Sequence, residues 1–263
     1  MSHRDAHLNL IDSSRQLFEL DPGATIEAKP GWVFGAGRSP HPVISNAAFR
    51  IDDKLDPDEL IAEARRFFAA HDRGFAIWAR TELEEDRELI AAAERSGLEA
   101  VYEMPEMVLG SPAEEVPLPA GTELRRVASA TDADEYWRVA TTAYASIGFP
   151  PEIFAFYENH EGLWAENAVA FLAHVDGQPA GISMTIVSHG VAGIYWVGCT
   201  EEARGRGLGR TMTVAAVNAG FALGAATASL QASPMGENLY RQMGFETIFN
   251  YRLLMSQSRR AER

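Results

Sequence analysis

The sequence predicts an α/β (α+β) fold: a mixed, mostly antiparallel sheet flanked by helices and built from two related halves. Three observations carry this. "AVAFLAHVDG", "PAGISMTIVSHG" and "VAGIYWVGCT" are consecutive β-rich runs with turns at Gly177-Gln178 and His189-Gly190, the pattern of an antiparallel meander. After the meander, helices and strands alternate. The order strand–helix–strand–helix–strand also occurs twice, and "SGLEAVY" (Ser96 to Tyr102) matches "MGFETIF" (Met243 to Phe249) in its Gly, apolar, Glu and small positions.

In the first part, "NAAFRID" reads as a strand. "DPDELIAEARRFFAAHDRG" reads as a helix capped by Asp56, started by Pro57 and stopped by Gly74. "FAIWAR" is a strand, "EEDRELIAAAERSG" a helix and "LEAVYEMPEMVL" a strand. "GSPAEEVPLPA", Gly110 to Ala120, has three prolines and no apolar period, so it reads as a linker. The expected division is 1–112 and 120–263.

The second part opens with the strand "TELRRVA" and a helix capped by Thr131 or Asp132. "PEIFAFYENH" is expected to be a short helix, followed by the meander. "LGRTMTVAAVNAGFALG" is a helix ending near Gly224, and "ATASLQA" a strand. "PMGENLYRQMG" is a helix capped by Ser233 and stopped by Gly244, and "ETIFNYRLLMS" is the last strand.

Composition narrows the function classes. A hydrophobic content of 46% supports a packed core, and a net charge of −14 argues against nucleic acid or an anionic membrane as partner. A single cysteine, Cys199, excludes an internal disulfide and a cysteine metal cluster, and no metal site is expected. No run approaches a transmembrane helix, and "MSHRDAHLNL" does not read as a signal peptide, so a soluble, cytoplasmic protein is expected.

Against this acidity stands "RGRGLGR", Arg204 to Arg210, with three arginines and three glycines. It lies where a strand feeds a helix. Backbone N–H groups at such a helix start have no intrahelical acceptor, the helix dipole adds positive potential, and glycine lets a bulky anion approach. A solvated turn with stray arginines is the plainer reading, but the crowding of positive charge in an acidic chain disfavours it. The dinucleotide pattern G-x-G-x-x-G fails because position 210 is Arg, and the Walker A pattern fails for want of its first Gly and its Lys.

Arg204, Gly207 and Gly209 fit Arg-x-x-Gly-x-Gly. With "IYWVGCT" before and "SPMGENLYRQMGFE" after, residues 122–255 resemble the GNAT superfamily of N-acetyltransferases. The resemblance implies a GNAT fold and acetyl-CoA as co-substrate. It implies that Val197, Gly198 and Cys199 pair with the pantetheine arm, and that Arg204, Gly205, Arg206, Gly207, Leu208, Gly209 and Arg210 hold the pyrophosphate. Ser233 stands where the family often has a pantetheine-binding Asn; a helix cap explains it equally well. Asn238 is a further cofactor-facing candidate, although an exposed helix position suits it too. Tyr240 matches the tyrosine that protonates the leaving thiolate; its alternative is packing, but the i, i+4 pair Leu239 and Met243 is expected to form the buried stripe and leave Tyr240 beside it. The first half resembles a GNAT half without its turn: "DDKLDP" has no glycine and repels phosphate, and Ala93 aligns with Tyr240.

No carboxylate lies on the strand before the turn, where many GNAT enzymes carry their base. Tyr195, His189, His174 or a water chain are candidates; surface or core roles suit both histidines better, and no base is assigned. Cys199 reads as an inert strand thiol. The acceptor is expected to be a small-molecule amine, cationic or neutral, met by the aromatic-rich segment Tyr144 to Trp164. A silent acyl-CoA sensor and a protein or peptide acetyltransferase are the alternatives.

Overall fold

The computed structural model describes residues 2–256. Helix α1 (His3–Phe18) begins at a capping box in which Ser2 and Asp5 bond reciprocally. It precedes an antiparallel meander of β1 (Thr25–Lys29), β2 (Trp32–Ala36) and β3 (Asn46–Arg50). Helix α2 (Pro57–Ala70), β4 (Phe75–Arg80), α3 (Glu84–Arg95) and β5 (Glu99–Leu109) complete the first half. The second half runs β6 (Thr122–Arg126), α4 (Ala130–Ala145), 3-10 turns at Pro151–Ile153 and His160–Trp164, β7 (Ala168–Val175), β8 (Gln178–Ser188) and β9 (Val191–Cys199). Then come α5 (Leu208–Ala222), β10 (Thr227–Gln231), α6 (Glu237–Gln242) and β11 (Glu246–Ser256).

Several expectations shift. α1, β1 and β2 fall in a region where no element was expected. Helix α4 is capped by Ser129, two residues before Thr131 and three before Asp132. Helix α2 stops at Asp72, whose φ of 53° takes the left-handed conformation expected of Gly74. "PEIFAFYENH" forms a 3-10 turn at Pro151–Ile153 and irregular chain rather than a helix. The first meander turn uses Asp176-Gly177, both at positive φ, one residue before the expected pair. Ser233 caps a turn through Gly236 N, and α6 itself starts only at Glu237.

All eleven strands found among the described residues join one sheet, in the order β1-β2-β3-β4-β11-β5-β10-β9-β8-β7-β6. The two halves read into it from opposite ends. In each, a meander strand runs parallel to the next strand, β3 beside β4 and β9 beside β10. At the centre the last strands cross over. β5 of the first half pairs with β10 of the second, and β11 of the second pairs with β4 of the first. The two also pair with each other over most of their length. The matched heptapeptides lie at equivalent places: Gly97 and Gly244 both have positive φ after a helix, and Leu98 N bonds Ala93 O as Phe245 N bonds Tyr240 O, each at 3.0 Å.

The core has two sides. Helix α5 covers one face through Leu208, Met212 and Ala219, which meet Phe171, Ala173 and Ala180. Helix α4 covers the other through Tyr136, Trp137 and Ala140, which meet Leu172, Ile182 and Met184. On that same side α1 crosses from the first half to the strands of the second: Asn9 Nδ2 donates to Ile186 O at 3.1 Å and Val191 O at 2.9 Å.

Candidate active site

β9 and β10 pair over Val191–Gly193 and Thr227–Ser229 and then part. β9 stays with β8 as far as Cys199, while β10 stays with β5 as far as Gln231. Where they separate, β9 bulges. Its register against β8 jumps from Gly198–Ile182 to Tyr195–Met184, and Trp196 absorbs the extra residue at a φ of 53°. An aromatic residue in the left-handed region is strained, and such strain collects at functional sites. The bulge turns both Tyr195 and Trp196 toward the α4 side of the core.

The expected pantetheine strand lies along this gap. The Val197 carbonyl accepts a bond from Tyr144 Oη at 3.4 Å. A Cβ on Gly198 would stand 3.2 Å from the Tyr144 ring and 3.3 Å from Ala143, so glycine allows α4 to press against the strand. The Cys199 thiol is half-buried; burial pushes its pKa up, with Arg204 acting against it.

At the turn, Gly205 and Gly207 adopt φ of 73° and 84°, with open space where a Cβ would be. Gly207 caps α5, and the first bond into the helix runs from Thr211 N to Gly207 O at 3.2 Å. The N–H groups of Leu208, Gly209 and Arg210 precede that bond and have no intrahelical acceptor. Leu208 is buried and anchors the turn beneath Gly181. The three arginines do not converge. Arg204 bonds the Ser146 hydroxyl at the end of α4. Arg210 reaches Gln242 O at 3.2 Å, at the end of α6. Arg206 rests on Ala120 O at 3.2 Å and on the exposed Asp176 at 3.5 Å.

Tyr240 is the buried residue of α6, packed against Phe245, while Leu239 and Met243 are only half-buried. The expectation that Tyr240 lies beside the buried stripe is therefore corrected: a helix of six residues has one inner position, and Tyr240 holds it. Burial raises its pKa to about 12, so its phenol stays protonated at neutral pH. It lies close enough to Tyr144 to act electrostatically on that phenol, adding to the burial that already raises its pKa. Ser233 is half-buried at the start of the turn before α6, and Asn238 is exposed.

Two of the candidate bases lie elsewhere. His174 sits with Arg125 and Glu135 near the outer edge of the sheet, and His189 pairs with Asp12 in an exposed turn. Tyr195 does line the site, and its hydroxyl donates to Asn9 Oδ1 at 3.0 Å. Reading the sequence alone missed Tyr144 as a partner of the strand. It also missed Glu106, which reaches this face from β5.

The corresponding place in the first half is closed. β3 and β4 also part after two residue pairs, but Arg50, Arg80 and Asp86 fill the space, each at most 2% exposed. Arg80 Nε bonds Asp86 Oδ2 at 2.7 Å, and its Nη2 reaches Asp53 at 2.6 Å. Asp53 belongs to "DDKLDP", the segment that replaces the glycine turn.

Among the described residues, no group of His, Cys, Asp and Glu could hold a metal ion, and no helix is long and apolar enough to cross a membrane. Comparison with curated proteins finds no match. The family model of the Acetyltransferase (GNAT) domain matches residues 118–237. Among solved structures, a GCN5-related N-acetyltransferase from Kribbella flavida superposes with a TM-score of 0.70 at 22% identity, covering 95% of each chain. Another from Sphaerobacter thermophilus gives 0.63 at 15% identity, covering 89% of this chain and 82% of that one. A tandem GNAT protein from the clavulanic acid biosynthesis pathway gives 0.60 at 14% identity over 94% and 95%. At these identities the neighbours establish the fold, and the domain match spans the parted strands and the glycine turn and ends before Tyr240. Residues 118–237 match the GNAT acetyltransferase domain, and the chain as a whole has the fold of these GNAT proteins.

Proposed function

We propose that this protein transfers the acetyl group of acetyl-CoA to a primary amine of a small molecule, at one site built on the second half. The observation that carries this is the gap between β9 and β10, with a strained bulge at Trp196 on one side and the buried Tyr240 on the other. In this reading the backbone of Val197–Cys199 receives the pantetheine arm. The amides of Gly205–Arg210 receive the pyrophosphate, where the dipole of α5 favours an anion. The bulge aims backbone donors at the oxyanion that develops on the thioester carbonyl. Tyr240 protonates the departing thiolate. Ser233 contacts the pantetheine, while Asn238 is left at the rim.

The acceptor reaches the α4 side of the sheet, where Tyr144, Phe149, Phe154 and Trp196 form an aromatic wall. The net charge of −14 favours a cationic or neutral amine over an anionic one, and favours neither nucleic acid nor membrane. A cytoplasmic location goes with this reading. The two-fold reading of the sheet supports a division into a degenerate first half, 1–112, and an acetyl-CoA-binding second half, 120–263.

The test is a screen of amino acids, polyamines, aminoglycosides and peptides with acetyl-CoA, followed by thiol release. A cationic small amine is expected to react fastest. Binding of acetyl-CoA without turnover of any acceptor would make the protein a sensor, and a peptide as best acceptor would make it a protein acetyltransferase.

A further inference from the structure

A carboxyl group buried in a sheet needs a reason, and Glu106 has none in the packing. It is 0% exposed, at the centre of β5. Its neighbours Met107 and Leu109 point to the α5 side, and Met104 points with α1 to the other. Alternation therefore puts Glu106 on the α1 and α4 side, the side of Tyr195 and the aromatic wall. It stands opposite Gln231, the last residue of β10, at the point where β9 and β10 have already parted. Gln231 Nε2 donates to Oε2 at 2.6 Å. Oε1 makes no hydrogen bond of standard geometry among the described residues, although the Ser229 hydroxyl of β10 is near enough to act on the carboxyl as a donor. A buried oxygen left poorly paired costs up to roughly 1–3 kcal/mol, and a methionine would fill a similar volume with no polar atom to satisfy.

The surroundings are polar but carry little charge. Ser229 and Gln231 of β10 act on Glu106 directly. Phe249 of β11 stands opposite it. Tyr195 of β9 and Tyr251 of β11 both feel its charge. Helix α1 contributes Asn9 to Tyr195 and His7 to Tyr251, while Asp12 acts on Tyr195, and Arg80 and Asp86 act on Tyr251 from further away. Burial raises the Glu106 pKa, with Gln231 and Ser229 working against it, to about 8. A base with a pKa near the working pH combines an available carboxylate with enough basicity to draw a proton. Perturbed carboxyls in such places cluster at functional sites.

We propose that Glu106, carried by the crossed-over strand β5 of the first half, is the general base for the site of the second half. The inference rests on the acetyl-transfer reading above. The Glu106 carboxylate takes one proton from the acceptor ammonium. The free amine then forms the C–N bond at the thioester carbonyl, and the C–S bond breaks. The thiolate takes the Tyr240 proton, and the surplus proton on the new amide nitrogen restores Tyr240 through solvent. Glu106 releases its proton to solvent, so one amide, one CoA thiol and one proton result from ammonium and acetyl-CoA. The first half has lost its own cleft to the Arg50–Arg80–Asp86 plug, yet it delivers the base and, through Asn9, holds Tyr195.

Glu106→Gln is nearly isosteric, and it is compared with the full-length parent by calorimetry with acetyl-CoA and by thiol release from pH 5 to 9. The amine panel supplies the acceptors. If no amine reacts, the slow hydrolysis of bound acetyl-CoA serves, because attacking water gives up a proton to the same base. The variant is expected to bind acetyl-CoA like the parent, to lose on the order of 10²–10⁴ in turnover, and to lose the rise in rate that the parent shows up to about pH 8. Glu106→Asp should recover part of the rate together with a pH-dependent limb. Unchanged turnover with the same limb in Glu106→Gln overturns the proposal. So does a parent that binds acetyl-CoA without turnover, or a variant that loses binding and thermal stability together, which would make Glu106 structural. If neither protein binds acetyl-CoA, the acetyl-transfer reading itself fails and takes the base with it.

Discussion

Tyr240 and Asp86 occupy aligned helices, and burial serves opposite purposes in them. Around Tyr240 burial holds a phenol protonated beside the gap, with its pKa at about 12. Tyr240→Phe keeps the packing with Phe245 and removes the proton. It should leave acetyl-CoA affinity unchanged and lower turnover by about 10²–10⁴-fold in steady-state thiol release. Around Asp86, burial would raise the pKa, but the bonds and charge of Arg80, with Arg50 beyond, bring it down to about 2. A depressed carboxylate stabilises the fold fully above its ordinary 3.8, and that contribution fades as pH falls from there towards 2. Asp86→Ala removes the buried carboxylate that Arg50 and Arg80 share, and should cost about 3–5 kcal/mol in denaturant unfolding at neutral pH. Glu106 has the opposite sign. Its folded pKa of about 8 exceeds its ordinary 4.5, so the folded state holds an extra proton and stability declines as pH rises between those values. Melting temperatures should fall between pH 5 and 8 in the parent, and fall less in Glu106→Gln.

The turn from Arg204 to Arg210 works as an element because its glycines and its arginines have separate tasks. Gly205 and Gly207 supply left-handed backbone that leaves the amides open. Arg204 and Arg210 tie the turn to the ends of α4 and α6, which places the gap between those helices. Arg206 has an exposed, long contact to Asp176 and is the arginine freest to meet an anion. Gly207→Val should abolish acetyl-CoA binding in calorimetry, by straining the cap and filling the approach. Arg206→Ala should weaken binding, flatten its salt dependence and leave the melting temperature unchanged, since exposed pairs contribute little to stability.

At the scale of the molecule, the crossing of β5 and β11 makes the halves interdependent. A fragment from residue 120 onward would lack β5, the strand between β10 and β11, and would expose both edges. Such a fragment should fail to give a cooperative melt, and it should aggregate when produced alone. The filled cleft of the first half sets the stoichiometry: one acetyl-CoA per chain is expected in calorimetry, and two equivalent sites would contradict the reading of one working half.

Most local elements and the glycine turn were legible from residues alone because their signals are local. "FAIWAR" and "ETIFNYRLLMS" match β4 and β11, the caps at Asp56 and Gly224 are near their expected places, and the Gly205–Gly209 spacing names its own backbone geometry. Helix α1 was hidden because its inward face carries His7, Asn9 and Ser13, which break the apolar period while bonding across to other elements. The bulge at Trp196 left no mark, since no glycine announces it. The buried role of Tyr240 depends on how short α6 is, and that is set by the turn in front of it. Glu106 could not be read at all. In the chain it stands over 120 residues before Gln231, in a strand whose pattern is ordinary, and its chemistry comes from the strand it meets. Sequence by itself determined most of the elements, the repeat and the glycine turn between β9 and α5, because these depend on neighbours a few residues apart. Tertiary structure decided that Arg50, Arg80 and Asp86 fill the place between β3 and β4 and that Glu106 is buried on the side of Tyr195, because both depend on where the last strand of each half crosses into the other.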